Sequence, residues 1–510
     1  MRQTNNRLVV VAVLLATFLS ALDTSIIGTA MPTVIGQLGG LALYSWVFSA
    51  YLLTSTTAVP IYGRLADLYG RKPLAFSAIA LFLLGSALCG LAQNMPELVA
   101  FRALQGLGAG GIIPITMTIL GDIFAAEDLA KVQGLTSAVW GSSAIAGPTV
   151  GGFIVDYVGW RWVFYVNLPF GIAAAALLWL FFHEQVERRP HRIDYLGALT
   201  MTLSITSLLL ALLRVGQDRA WLDPTVIGPF VLAVLLLGWF LWNEAHAAEP
   251  MLPLGLFRLR IISVVFPANV LIGAAMFGVT SYLPLFVQGV LGGSAIDAGL
   301  VLAPYSVCWS LASVLSGRIL IRFGYFTSAF AGFLVMLAGA VLLQLVPGSQ
   351  TLWPSIVSAA IFGCGMGLSA TAFIIAAQNA VGWSERGAAT ASVMFGRTIG
   401  GAIGVAALGA VLSAAMAPRL ASLGGHYDAN ALLDPAARAA LAPDILQAIQ
   451  GALQHGLQLA YLGVLGGVVV AVLVVLAFPR GSVAQLQVAD ESRGGGTATP
   501  VREPATLRED

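Results

Sequence analysis

From Leu8 onward the chain is a succession of apolar runs broken at glycines, prolines and small charge clusters. Each run reaches about 18 residues or more, enough to cross a hydrocarbon core of about 30 Å. The runs are continuous and do not alternate apolar with polar, which excludes a membrane β-barrel. The breaks predict fourteen helices, near 8–31, 44–62, 74–93, 97–120, 132–156, 162–182, 194–213, 225–243, 261–287, 297–318, 326–347, 352–379, 388–414 and 456–478. The predicted class is an all-α polytopic membrane protein.

Cationic residues orient these helices. With the N-terminus in the cytoplasm, inside segments hold Arg2, Arg7, Arg64, Arg71, Lys72, Lys131, Arg188, Arg189, Arg192, Arg258, Arg260, Arg318, Arg322, Arg386 and Arg480. Outside segments hold only Arg161, Arg214, Arg219, Arg419 and Arg438. Both termini are thus expected in the cytoplasm, with the chain in the cytoplasmic membrane. The polar, Gly-rich tail 481–510 is expected to be disordered. Loop 415–455 is expected outside. Within it Leu441, Ile445, Leu446, Ile449 and Leu453 share one helical face, which reads as a short amphipathic helix on the outer surface or as a solvated spacer.

Two strings recur. GRLADLYG at 63–70 matches GRILIRFG at 317–324, and GPTVGG at 147–152 matches GRTIGG at 396–401, both at a separation of about 250 residues. Two matches at one offset argue for two parallel six-helix halves, as alternating-access transporters have. The predicted division is 1–183 for the first bundle, 184–255 for an inserted helix pair and 256–480 for the second bundle.

Composition then narrows the class. Of 510 residues 58% are hydrophobic and 10% charged, too little charge to cover a soluble domain of this size. The net charge of +1 gives no reason to expect nucleic acid as a partner. Cys89, Cys308 and Cys364 lie in apolar runs far apart in sequence and read as small core residues. His183, His191, His246, His426 and His455 lie at or beyond helix ends. No metal-ligand spacing, Ser/His/Asp set or phosphate loop is seen, so an enzyme is disfavoured and no cofactor is expected; an ion gradient must drive any uphill transport.

In the loop YGRLADLYGRKP, Gly63 and Gly70 suit close helix approach and a tight turn. Arg64, Arg71 and Lys72 mark the inside, and Pro73 opens the next helix. Asp67 is an acid among cations. It can bond a neighbouring helix N-terminus and latch the bundles, or it can belong to plain topology signalling. This string resembles the G-x-L-a-D-r-x-G-r-k signature of the major facilitator superfamily. LDTSIIGTAMP, FRALQGLGAGG at 101–111, AGPTVGGFIVDYVGWRWVFYVNLPFG at 146–171 and IDYLGA at 193–198 resemble segments of its fourteen-helix drug:proton antiporter family, the EmrB and QacA type. The resemblance covers the chain to about residue 480. Gly28 departs from it, standing where the family usually has Asn, and the second half lacks an acid deep in a helix. The resemblance implies that Asp67 meets the helix beginning near Ala388, and that Arg71 or Lys72 meets Asp122, both favouring an outward-open state.

Asp23 interrupts the first apolar run, at a cost of about 2.5–3.5 kcal/mol on insertion scales. It is placed about 13 Å below the outer helix end, and Arg102 about 7 Å below the same surface. The two are candidates for a coupled site in which Asp23 carries a proton inward, because burial favours the neutral acid and a neighbouring guanidinium the carboxylate. The plainer readings are a static interhelical hydrogen bond for Asp23 and a snorkelling anchor for Arg102. Gly147, Pro148, Gly151 and Gly152 suit a kinked, smooth-faced helix that seals one bundle against the other. Trp46, Tyr51, Gln105, Trp140, Asn269, Tyr282, Gln288, Gln378 and Asn379 are candidates for the substrate cavity. Arg397, in the thirteenth helix, has no assigned role.

The expectation is a proton-coupled antiporter that exports lipophilic drugs or metabolites, cationic ones among them, working as a monomer amid membrane lipid. A dedicated exporter of one endogenous compound or lipid is the alternative. A non-transporting membrane sensor is disfavoured by the lack of an output domain.

Overall fold

A computed structural model describes residues 4–124, 126–184, 194–216, 223–247, 250–382, 385–423 and 429–480. The tail 481–510 and the side chain of Asp67 lie outside the described residues. Among the described residues there is no strand. The long helices are α1 Asn6–Leu38, α2 Tyr44–Tyr69, α3 Arg71–Leu91, α4 Met95–Ile123, α5 Ala126–Tyr157, α6 Trp162–Phe181, α7 Tyr195–Gly216, α8 Pro224–His246, α9 Arg260–Leu285, α10 Ala295–Leu320, α11 Arg322–Leu343, α12 Trp353–Asn379, α13 Arg386–Ala421 and α14 Pro443–Leu476. Thirteen of these are long and apolar enough to span a membrane. The exception, α2, is diluted by hydroxyl residues such as Thr54, Thr56 and Thr57, each of which bonds a carbonyl one turn back.

Helices α1–α6 form one bundle and α9–α14 the other, while α7 and α8 pack on each other and α7 seats on α2 and α13. Leu53, Met201, Ile205, Leu209, Phe240, Leu252 and Ala406 form the apolar contact there. The outward face of α8 is apolar and exposed, as at Val234 and Leu235, which suits lipid.

The repeat read in the sequence has a backbone counterpart. Gly70 between α2 and α3 has φ 94°, and Gly324 in the first turn of α11 has φ 84°, a conformation that disfavours a Cβ. Each turns the chain at the equivalent corner of its bundle. Gly147 and Gly151 bring α5 against Ser25 and Ile26 of α1, while Gly396 and Gly400 bring α13 against Phe266 and Val270 of α9. Gly63, by contrast, faces open space, so no close approach depends on it in this conformation.

The bundles meet at the end away from the described chain termini. There Thr33 Oγ1 donates to Gln288 Oε1 at 2.9 Å, Gln288 Nε2 donates to the Thr29 carbonyl at 2.9 Å, and Ser49 Oγ donates to the Ala402 carbonyl at 2.7 Å. The Tyr44 hydroxyl donates to the Ser281 carbonyl. Gly152 lies against the Ala295 carbonyl, and Gly299 against that of Pro148. All of these seam contacts lie in one half of the molecule.

Two expectations need correction. Helix α1 runs through Pro32 to Leu38, so Asp23 lies about 22 Å below that end, deeper than its sequence placement. The segment 415–455 is neither a surface-lying amphipathic helix nor a spacer. α13 continues to Ala421, a short helix spans Pro435–Ala440, and α14 begins at Pro443. Ile449 and Leu453 are core residues of α14, because a stripe that would face lipid is the same stripe that faces a bundle. Arg438 pins this segment to the carbonyls of Gln288 and Gly289 at 3.2 and 3.3 Å.

Candidate functional site

Asp23 is fully buried halfway along α1 and is met by three side chains from two other helices. Arg102 Nη1 donates to Asp23 Oδ2 at 2.8 Å; Gln105 Nε2 and Asn167 Nδ2 donate to Oδ1 at 2.8 and 3.0 Å. The same Arg102 nitrogen reaches Gln105 Oε1 at 2.7 Å, and the guanidinium stacks 4.0 Å above the Tyr51 ring. Asn167 also donates to Ser86 Oγ at 3.0 Å, and Ser86 donates to the Phe164 carbonyl at 2.8 Å. Arg102 and Gln105 sit one turn apart on α4, which is why both reach the same carboxylate. α4 can approach because Gly85 of α3 leaves no side chain against the Gln105 backbone.

This is a fully buried ion pair. Neither charge would be tolerable alone at this depth. Protonating Asp23 would remove an acceptor from Arg102, Gln105 or Asn167 and loosen the clamp. All its members belong to the first bundle.

The sequence reading paired Asp23 with Arg102, and the structure brings the two together. Gln105 and Tyr51, read as cavity residues, are instead part of this cluster. Asn167 and Ser86 were missed as site residues; the NLP within YVNLPFG was the available signal, since an amide at the start of an apolar helix needs a partner.

At the opposite end of the first bundle, Arg71 Nη1 meets Asp122 Oδ2 at 2.8 Å. Both partners belong to the same bundle, and the pair coexists with a closed far end. Lys72 Nζ donates to the Trp179 and Phe182 carbonyls, both at 2.6 Å. Glu184, unmarked by the sequence reading, caps α3 by accepting the Arg71 N–H at 2.7 Å and the Lys72 N–H at 3.0 Å. The predicted contact of Asp67 with the start of α13 lies outside the described residues.

The remaining cavity candidates are dispersed. Tyr282 donates to the Val405 carbonyl at 2.7 Å, and Gln288 bridges the seam. Asn269 bonds the Val265 carbonyl of its own helix. Gln378 bonds Thr390, and Asn379 bonds the Tyr325 hydroxyl. Trp46 lines a small cleft between α2, α7 and α13, and Trp140 is exposed. Cys308 and Cys364, far apart in sequence, come into contact as free thiols. Among the described residues no group of three or more metal-ligating side chains occurs.

Residues 13–405 match the family described as the Major Facilitator Superfamily. The chain is 39% identical over 413 residues to the multidrug transporter protein MdtP of Bacillus subtilis, covering 81% of this chain and 76% of that protein. It is 33% identical to multidrug resistance protein 3 of the same organism, covering 80% of each, and 33% identical to the efflux pump FUS6 of Gibberella moniliformis, covering 80% of this chain and 74% of that one. Its fold resembles that of a bacterial homologue of the lysosomal transporter Spinster, solved inward-facing and unoccupied, with TM-score 0.66 at 16% identity, covering 92% of this chain and 97% of that one. A POT-family transporter, PepTSo, aligns with TM-score 0.64 at 12% identity, covering 92% of this chain and 98% of that one. With the family matched across most of its length, this chain belongs to the major facilitator superfamily of membrane transporters.

Proposed function

We propose that the chain is a proton-coupled antiporter of the fourteen-helix drug:proton type, expelling lipophilic small molecules from the cytoplasm by alternating access. The observation that carries the reading is the Asp23 cluster, a buried acid held by Arg102, Gln105 and Asn167 at mid-depth in one bundle. The efflux names of MdtP and FUS6 support the cargo class. The positive-inside pattern supports cytoplasmic termini, and on that orientation the closed end faces outside.

In this scheme the closed outer end corresponds to a clamped Asp23 carboxylate and a cavity open to the cytoplasm. Cargo enters, and the rearrangement opens the outer end. Asp23 takes a proton there, which loosens its clamp, and cargo departs. Return of the protonated form delivers the proton inward, where Arg102 reclaims the carboxylate. One charge moved through the membrane potential yields about 2.3 kcal/mol per 100 mV. Gly152 and Pro148, packed on α10, fit the seal such a cycle needs. The gradient is the only energy source required, with no cofactor.

The test is transport in proteoliposomes with an imposed pH gradient. Asp23→Asn should abolish gradient-driven accumulation of a lipophilic dye such as ethidium while leaving dye binding intact. Accumulation by that variant at the wild-type rate would refute the coupling.

A further inference from the structure

Among the described residues two arginines lie deep in the bundles, and they differ in one respect. Arg102 is paired with a carboxylate and also meets an amide oxygen and an aromatic face. Arg397 stands 11 residues into α13, about 16 Å from its start and so near the middle of a span. Among the described residues its hydrogen bond is to Met394 Sδ at 2.9 Å, and no carboxylate pairs with it. A thioether is a weak acceptor, and a guanidinium has five N–H donors. A cation at this depth persists where it borders a water-filled cavity or meets an anion.

A second group points to the same place. Tyr305 lies 10 residues into α10, which runs the opposite way, so the two lie at similar depth. Its ring packs against Trp309 and Phe362, with centroids at 5.8 and 6.5 Å. Its hydroxyl is buried without a hydrogen-bond partner among the described residues, and it is in electrostatic reach of Arg397. A buried hydroxyl left unpaired is uncommon and asks for an explanation. The position is also suited to cargo: α10 packs on α5 and α13 on α2, so a group between α10 and α13 sits beside the seam that opens and closes. Close packing fixes the wall, with Gly273 of α9 against the Arg397 carbonyl and Gly363 of α12 against the Tyr305 carbonyl.

We propose that Arg397 and Tyr305 form a binding site for the anionic group (carboxylate, sulfonate or phosphate) of an amphiphile whose apolar body lies along Trp309 and the neighbouring apolar wall. The guanidinium offers two parallel donors to an oxyanion, and the hydroxyl a third. The site makes acidic lipophiles the favoured cargo, rather than the cationic ones that the sequence reading included. It rests on the export function proposed above. The same headgroup chemistry belongs to anionic phospholipids, and the two sources are separable.

The full-length protein, purified in a neutral detergent, is titrated with deoxycholate below its micellar concentration and, separately, with tetraphenylphosphonium, following tryptophan fluorescence. Arg397→Gln should weaken deoxycholate binding roughly 10- to 100-fold and leave tetraphenylphosphonium unchanged. Arg397→Lys should retain part of the affinity, and Tyr305→Phe should lose several-fold. Unchanged deoxycholate binding in Arg397→Gln, or equal weakening of both probes, overturns the site; should that variant fail to fold, Arg397→Lys and Tyr305→Phe decide by the same criterion. Native mass spectrometry with added phosphatidylglycerol separates the sources. Lipid retained by wild type and lost in Arg397→Gln assigns the site to a membrane headgroup. Gradient-driven deoxycholate transport by wild type assigns it to cargo. Wild type that binds deoxycholate through Arg397 but moves no probe under a gradient sinks the export reading and leaves the anion site standing.

Discussion

Asp156 caps the helix that begins at Ala295. Its Oδ1 accepts the Ala295 N–H at 3.1 Å and its Oδ2 the Ile296 N–H at 3.0 Å, joining the last turn of α5 to the first turn of α10 across the seam. A carboxylate at a helix N-terminus is favoured by the local dipole and by the unsatisfied amides there. This contact stands at the closed end, and it is the interaction the sequence reading sought from Asp67 at the other end.

Asp156→Ala should therefore release about 1–2 kcal/mol of the closed end's advantage. Spin labels on Val158 and Trp353, both exposed at that end, should show a larger population of long distances by double electron–electron resonance. An unchanged distance distribution would show the cap to be incidental.

Arg102→Gln leaves the Asp23 carboxylate buried with two amide donors and no counter-charge. The cost should be about 3–5 kcal/mol, seen as a marked fall in the melting temperature in detergent. Asp23→Asn with Arg102→Gln should recover most of that loss, because the orphaned charge is gone, yet it should not restore gradient-driven transport. A double variant as unstable as the single one would argue that Arg102 stabilises by packing on Tyr51 instead.

Gly28 sits where a Cβ would meet the Thr280 carbonyl at 2.8 Å. α1 and α9 thus approach too closely here to admit the asparagine that the resemblance would place at this position. Gly28→Asn should hold the closed end apart, lengthen the same spin-label distances and slow efflux several-fold, with little change in melting. Wild-type transport by this variant would mean the helices shift to admit a side chain at no cost.

Glu184→Ala removes the acceptor from the first two amides of α3. Loss of such a cap costs about 1 kcal/mol, so the melting temperature should drop slightly while dye binding at mid-depth stays as in wild type. A loss of binding would place Glu184 in the transport cycle itself.

What the sequence made legible follows from cost. Asp23 and Arg102 stood out because charges in apolar runs are expensive, so each needed a partner. Gly70 and Gly324 stood out because a repeated turn needs a residue free of Cβ strain. Asn167 and Gln105 were harder to place: an amide in an apolar helix has many uses, and only the depth of α4 and α6 relative to α1 shows that both reach the same carboxylate. Glu184 carried no periodic signal, since a cap acts from beyond a helix end. Ile449 and Leu453 were misplaced because an amphipathic stripe does not say whether its apolar side meets lipid or protein. Arg397 was visible as an oddity, but what it lacks becomes apparent only when its surroundings are known.

The Asp23 cluster draws on α1, α2, α3, α4 and α6 and, among the described residues, takes nothing from those beyond 183. An engine enclosed in one half leaves the other half free to diverge. On the coupling proposed above, selection can reshape what is recognised without disturbing how the work is powered, and a hybrid that joins residues 1–183 to a relative's second half should take its pH dependence from this chain and its taste for cargo from the donor.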